Sequence, residues 1–234
     1  MTRVRMHLLT PFLAACLMLL TPRSFAEKPP PDLIPSTAPL KPGIVACGNL
    51  IYATNRSSVC FADKFLTEVA EKTTCKVEPK FRPVRLDSDT LFDLPFCVFS
   101  GEGAFTLTDR ERTNLRRYLQ NGGFILASPS CSNPEWDKSL RKELSALLPD
   151  SQFQKISMTH PIFSVVNNVQ TLRCKQGNTA QLEGIEINGR LVMVYSREGL
   201  NDVGNAKGCC CCGGNEILQA IAVNVNILTY VLLY

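Results

Sequence analysis

Two short apolar runs, Phe96–Phe99 (FCVF) and Phe124–Ala127 (FILA), bracket a charged stretch in which Leu115, Tyr118 and Leu119 recur at helical spacing. A run that is apolar at every position suits a strand buried on both faces, and the 3.6-residue recurrence suits a helix with one buried stripe. Thr108-x-x-Glu111 is a capping box ahead of that stripe, and Gly122 stands where a helix needs a left-handed residue to stop. Gly101-Glu102-Gly103 supplies the turn between the first run and the helix. The stretch Pro95–Cys131 therefore predicts strand, helix, strand: a right-handed βαβ unit of a buried parallel sheet.

The same patterning extends to both sides. Gly43–Tyr52 reads as a first strand, and Phe61, Phe65, Leu66 and Val69 line one face of a helix over 61–73. Lys76–Arg85 holds two prolines and suits an edge strand, with a turn at Asp87–Phe92. Asn133 and Pro134 open a helix whose inner face is Trp136, Leu140, Leu144 and Leu147. Phe153–Ile156 is a short strand, and Thr159–Phe163 is a loop entering apolar packing. Leu182–Ile187 and Leu191–Tyr195 flank Asn188-Gly189, a hairpin signal. The run from Asn215 to Tyr234 is apolar almost throughout but carries Asn224 and Asn226. That makes it a poor membrane span and predicts a buried terminal helix, with a strand as the alternative because Ile and Val are frequent.

The first 26 residues predict something other than fold. Arg3, Arg5 and His7 precede the apolar stretch Leu8–Leu20, and Ser24-Phe25-Ala26 is a small-x-small site, the layout of a secretory signal cut after Ala26. Leu13-Ala14-Ala15-Cys16 also matches a lipobox, so the alternative is a lipoprotein anchored at Cys16. Residues 27–42 hold six prolines and form a polyproline-like linker, with residues 43–234 as one domain. Without Arg3, Arg5 and Arg23 the 25 basic residues become 22 against 21 acidic, net +1, which removes nucleic acid as a partner class. The expected partner is an envelope protein or a small ligand.

Ten cysteines remain after cleavage, an even number in an oxidising compartment, and structural disulfides are the first expectation for them. Four of them are consecutive, Cys209-Cys210-Cys211-Cys212. Thiolates bind soft metals, so these four are also the candidate metal ligands, for zinc or copper, although consecutive cysteines lack the Cys-x-x-Cys spacing of a comfortable zinc grip. No organic cofactor is implied. His160 is the one histidine left, so any imidazole-dependent mechanism must use it.

The segments LFDLPFCVFSGEG (Leu91–Gly103), LRRYLQNGGFILA (Leu115–Ala127), THPIF (Thr159–Phe163) and LEGIEINGRLVMVYS (Leu182–Ser196) together resemble one bacterial family, the domain-of-unknown-function family four-one-five-nine. The resemblance covers roughly Gly43 to Tyr234. That family is similar in fold to class I glutamine amidotransferases and ThuA-like proteins. The resemblance thus implies a flavodoxin-like three-layer α/β/α sandwich with a mostly parallel sheet, and brings no established activity. The amidotransferase elbow, Gly-x-Cys-x-Gly, is replaced here by Ser128-Pro129-Ser130-Cys131. No His-x-Glu pair follows, and Gly101-Glu102-Gly103 stands where the family often has Gly-His-Gly.

In an open parallel sheet, ligands bind beyond the carboxyl ends of the strands. The loops Gly101–Phe105, Ser128–Asn133 and Ser196–Gly214 are expected there, bringing Glu102, Cys131 and the four-cysteine run towards one rim. Cys131 as nucleophile with His160 as base and Glu102 as a further acid-base group would make a thiol-dependent hydrolase. With the elbow and triad missing, the reading favoured is a non-catalytic binding or assembly module of the cell envelope. The charge run Asp109–Arg117 reads as a solvated helix face, and Glu183 and Glu186 as solvated edge residues.

Overall fold

A computed structural model describes residues 34–58, 60–201 and 214–234. The segment before residue 34, which contains the expected signal, Cys16 and the first part of the linker, lies outside the described residues, as does Cys209–Cys212.

Among the described residues, seven strands form one sheet: β1 (Cys47–Ile51), β2 (Arg82–Arg85), β3 (Phe96–Phe99), β4 (Phe124–Ala127), β5 (Gln154–Lys155), β6 (Glu183–Ile187) and β7 (Arg190–Tyr195). Their spatial order is β2-β1-β3-β4-β7-β6-β5. The first five in that order run parallel, and β6 and β5 add an antiparallel edge. The order reverses between β1 and β3, the switch point of a flavodoxin-like sheet. The βαβ unit read from the sequence is present: β3 and β4 pair in register, Phe96 with Phe124 and Phe99 with Ala127.

Among the described residues, four α-helices complete the layers: α1 (Lys64–Lys72), α2 (Asp109–Gln120), α3 (Pro134–Leu147) and α4 (Ala220–Leu233). Strand alternation sorts them onto two faces. Phe96, Val98, Phe124 and Leu126 point to the layer of α1 and α4, where Phe65, Leu66, Val69, Val223 and Ile227 meet them. Cys97, Phe99, Ile125 and Ala127 point the other way, to Leu115, Tyr118, Trp136, Leu140 and Leu144 of α2 and α3. Each buried large apolar side chain stabilises the fold by roughly 1.5–3 kcal/mol, so the two cores make the sandwich.

The helix signals are honoured in detail. Thr108 and Glu111 close the capping box of α2, Gly122 adopts φ +105 after its end, and the Asn133 side chain caps α3 with Pro134 in its first turn. Asn188 and Gly189 take the two positive-φ positions of the hairpin turn. The strand alternative for the last segment is overturned. Its two asparagines tie loops onto a buried helix: the Asn226 carboxamide accepts from the Val166 and Asn167 amides and donates to Asn167 O, and Asn224 donates to Leu200 O. No helix among the described residues is long and apolar enough to cross a membrane.

Two surface expectations need correction. The charge run on α2 is not simply a wet face. Glu111 is buried by its capping role, and Arg112 reaches Glu143 of α3 at 2.7 Å. Glu183 is likewise engaged by Arg141, which also pairs with Asp137 and lies over the Phe153 and Tyr195 rings. The last part of the proline-rich segment lies along the β2 edge, where Ser36 donates to Pro83 O at 3.0 Å and Arg82 donates to Pro39 O at 3.1 Å. Pro83 has no N–H to offer a further strand, and this segment covers the edge.

Candidate functional site

The parallel strands β1, β3, β4 and β7 deliver four loops to one rim. Sequence reasoning placed three of them there and missed the first, Tyr52–Cys60 after β1. Its signal was the polar cluster Asn55-Arg56-Ser57-Ser58 directly behind an apolar strand.

Backbone strain concentrates at this rim. Ala53 (φ 45) and Thr54 (φ 76) follow β1, and Cys131 and Ser132 (both φ 51) follow β4. Left-handed backbone costs a residue with a Cβ about 1–2 kcal/mol, and a β-branched threonine is a poor occupant of it. Such strain persists only where surrounding contacts fix it, and it collects at functional loops.

Those contacts are hydroxyl groups. Ser58 and Ser130 share a hydrogen bond of 2.6 Å, and Ser130 and Ser100 one of 3.2 Å, so a chain of three buried serines joins the loops after β1, β4 and β3. Beside it, Trp136 Nε1 donates to the Tyr52 hydroxyl at 2.6 Å, and that hydroxyl donates to Ser100 O at 3.2 Å. Gly101 is required at this point, because a Cβ there would stand 1.9 Å from the Tyr52 oxygen. Above the switch point, Ala53, Arg56, Ala104, Phe105 and Thr106 line a cleft of about 290 Å³. Arg56 frames it by donating to Ala104 O at 2.6 Å.

A second polar group lies at the β7 end of the rim. Ser128 Oγ accepts from Leu200 N and donates to Glu198 O, which fixes the chain leaving β7. Glu216 is then set beside Gly199 and Gly214, and its carboxyl group is 1% exposed with no hydrogen bond of ordinary geometry to either oxygen. Burial pushes its pKa up to about 7, against the main-chain N–H of Asn201 and the charge of Lys175, which favour the ionised form. The point that a Gly214 Cβ would occupy is 2.4 Å from Glu216 Oε1 and 2.9 Å from Cys131 Cα, so the buried acid backs onto the Cys131 loop. Ser58, Ser100, Ser130, Asn201 and Glu216 were not legible as site residues, since no motif links them along the chain.

The candidates named from sequence are divided by the sheet. Cys131 is at the carboxyl rim. Glu102 is on the neighbouring loop, exposed, with its main-chain oxygen 3.4 Å from Arg56 Nη1. His160 is elsewhere: its ring packs on Tyr230 near the end of α4, its Nδ1 accepts from Ile162 N, and with Leu191 and Glu186 it lines a cavity at the amino end of β7. Burial lowers its pKa, with Glu186 acting in the opposite sense. The structure thus brings Glu102 and Cys131 to one rim and leaves His160 at the other end.

The expected disulfide framework does not extend to Cys47, Cys75, Cys97 and Cys174, which are free thiols. Cys47 and Cys97 lie inside the sheet, where burial raises their pKa and keeps them protonated. Among the described residues, no group of three or more His, Cys, Asp or Glu side chains is arranged to hold a metal.

Residues 51–232 match the family described as a domain of unknown function, DUF4159, and the chain belongs to that family. No curated protein matches the chain.

Proposed function

We propose that this member of the DUF4159 family is an exported binding module of the bacterial cell envelope. It takes a small polar ligand in the cleft above the β1/β3 switch point, on an amidotransferase-like and ThuA-like scaffold that has lost its catalytic triad. The observation that carries this reading is the clustering of strained non-glycine residues on the two loops that Ser58 and Ser130 bind together at the carboxyl rim. Parallel sheets of this order bind ligands at that place, and a rigid frame of buried hydroxyl groups holds such loops ready without reorganisation. The depression is shallow and open to solvent, and it offers the Arg56 guanidinium and main-chain carbonyls as polar partners.

The thiol-hydrolase alternative is weaker on this geometry. The only imidazole outside the expected signal stands at the amino end of the sheet, away from Cys131, so no Cys–His pair supports thiolate formation. The zinc or copper reading of Cys209–Cys212 rests on the sequence alone.

The test is amide chemical-shift mapping of the exported chain against a defined set of probes: glucose, N-acetylglucosamine, glutamine and inorganic phosphate. Binding in the cleft would shift the amides of Ala53–Ser58, Ser100–Phe105 and Ser128–Ser132 together, and Ser130→Ala would weaken it several-fold. Shifts confined to the His160–Tyr230 end, or none with any probe, would overturn the reading.

A further inference from the structure

We propose that His160 is an acid-sensitive latch on the α4 layer: its unprotonated Nδ1 caps the turn Pro161–Phe163, and a proton on that nitrogen opens the cap. The latch is independent of the ligand site at the carboxyl rim. Pro161 has no N–H, so the Ile162 N–H is the first donor of the turn, and it donates to His160 Nδ1 at 3.2 Å. Main chain closes around the same residue. His160 N–H donates to Ser157 O at 2.9 Å, and Phe163 N–H donates to His160 O at 3.0 Å. The turn seats the buried side chains of Ile162 and Phe163 in the core that they share with Val223 and Ile227 of α4.

The chemistry of imidazole makes this cap conditional. A neutral ring has one N–H and one acceptor nitrogen, whereas an imidazolium has two N–H groups and no acceptor. With Nδ1 accepting from Ile162, the neutral ring carries its proton on Nε2. A proton added at Nδ1 sets two N–H groups against each other, and the Ile162 amide loses its partner. A serine or asparagine cap does not change in this way.

The groups around the ring decide the direction of the effect. Burial disfavours the charged ring and outweighs Glu186 of β6, which favours it, so the pKa lies below the ordinary 6.5. Lys155 of β5 is a like charge on the same cavity. Tyr230 of α4, stacked on Tyr234, brings an aromatic ring 5.1 Å away rather than a charge. Arg190 of β7 is turned to the carbonyls of Leu119 and Gly122. A cavity of about 110 Å³, lined by His160, Lys155, Glu186 and Leu191, gives the imidazolium a place to turn out of the cap, towards Glu186. Since folding favours the neutral ring, the contribution of the latch to stability is complete above about pH 6.5 and is lost as pH falls below it.

The experiment is an NMR titration of the ¹⁵N-labelled full chain from about pH 8 to about pH 5, the His160 signals being those absent from His160→Asn. At the upper pH, Nδ1 should be the unprotonated ring nitrogen. The ring should titrate below 6.5, and the Ile162 amide should follow the same curve, losing about tenfold in protection against hydrogen exchange. Glu186→Gln should move the midpoint to lower pH. His160→Asn supplies a cap oxygen that does not titrate and should keep the Ile162 amide protected throughout. A proton on Nδ1 at the upper pH, a midpoint at or above 6.5, or an Ile162 amide indifferent to the titration would overturn the proposal. Should His160→Asn fail to fold, the wild-type curves of the ring and of Ile162 decide the matter alone.

Discussion

The two ends of the parallel sheet are built from the same strands and follow opposite rules. At the amino end, Arg190 donates to the carbonyls of Leu119, Gly122 and Gly123, and the Tyr118 hydroxyl donates to Leu94 O at 2.7 Å. The left-handed positions of its hairpin turn fall to Asn188 and Gly189, which tolerate them. At the carboxyl rim, the left-handed positions fall to Ala53, Thr54, Cys131 and Ser132, and a carboxyl group is buried with only the Asn201 main-chain N–H turned towards it. The first end is optimised for stability. The second retains costs that folding alone would not select, and it is the end at which the proposed ligand site lies.

Four predictions break or sharpen that contrast. Trp136 is fully buried and braces the rim through Tyr52, so Trp136→Ala should lose about 3–5 kcal/mol of stability in denaturant unfolding. Tyr230→Ala, at the partly exposed aromatic contact with His160, should lose only about 1 kcal/mol. Comparable losses would mean that the rim is no more tightly framed than the opposite end.

Glu216 gives the next effect. Its pKa is raised from 4.5 to about 7 by burial, so folding favours the protonated form. The stability associated with it is complete below about pH 4.5 and falls as pH rises through 7. Glu216→Gln should then stabilise the protein at pH 8 by up to about 3 kcal/mol and have little effect at pH 4. A pH-independent difference would show that the carboxyl group is solvated.

Gly199→Ala should cost about 1–3 kcal/mol, because its Cβ meets the Glu216 carboxyl group. At the other end, Gly189→Ala meets open space and should cost only its left-handed backbone, about 1 kcal/mol. The smallest effect is a gain. Thr54→Gly relieves a left-handed β-branched residue and should stabilise by up to about 1 kcal/mol, while Asn188→Gly should be near neutral. Melting temperatures of the four glycine variants would settle the order.

Much of the fold was legible because it depends on local periodicity and local caps. The βαβ unit, the capping box at Thr108, the Asn133 cap and the Asn188-Gly189 turn each depend on residues within a few positions of one another. Glu111 was misread because its buried, capping side chain sits in a run of charges that looks solvated. Cys131 was legible as a rim residue, from the rule about strand ends. The serine chain was not, because Ser58, Ser100 and Ser130 are joined only across three strands.

The sequence by itself determined the strand and helix pattern, the buried terminal segment and the membership of one α/β class, since hydrophobic spacing and turn chemistry act over a few residues. Tertiary structure alone decided which polar groups share a site. It parted His160 from Cys131, folded Gly199 back against Glu216 within the connection from β7 to α4, and turned Asn224 and Asn226 from apparent interruptions into ties. Those outcomes depend on strand order and on desolvation, and neither is a property of any short stretch of chain.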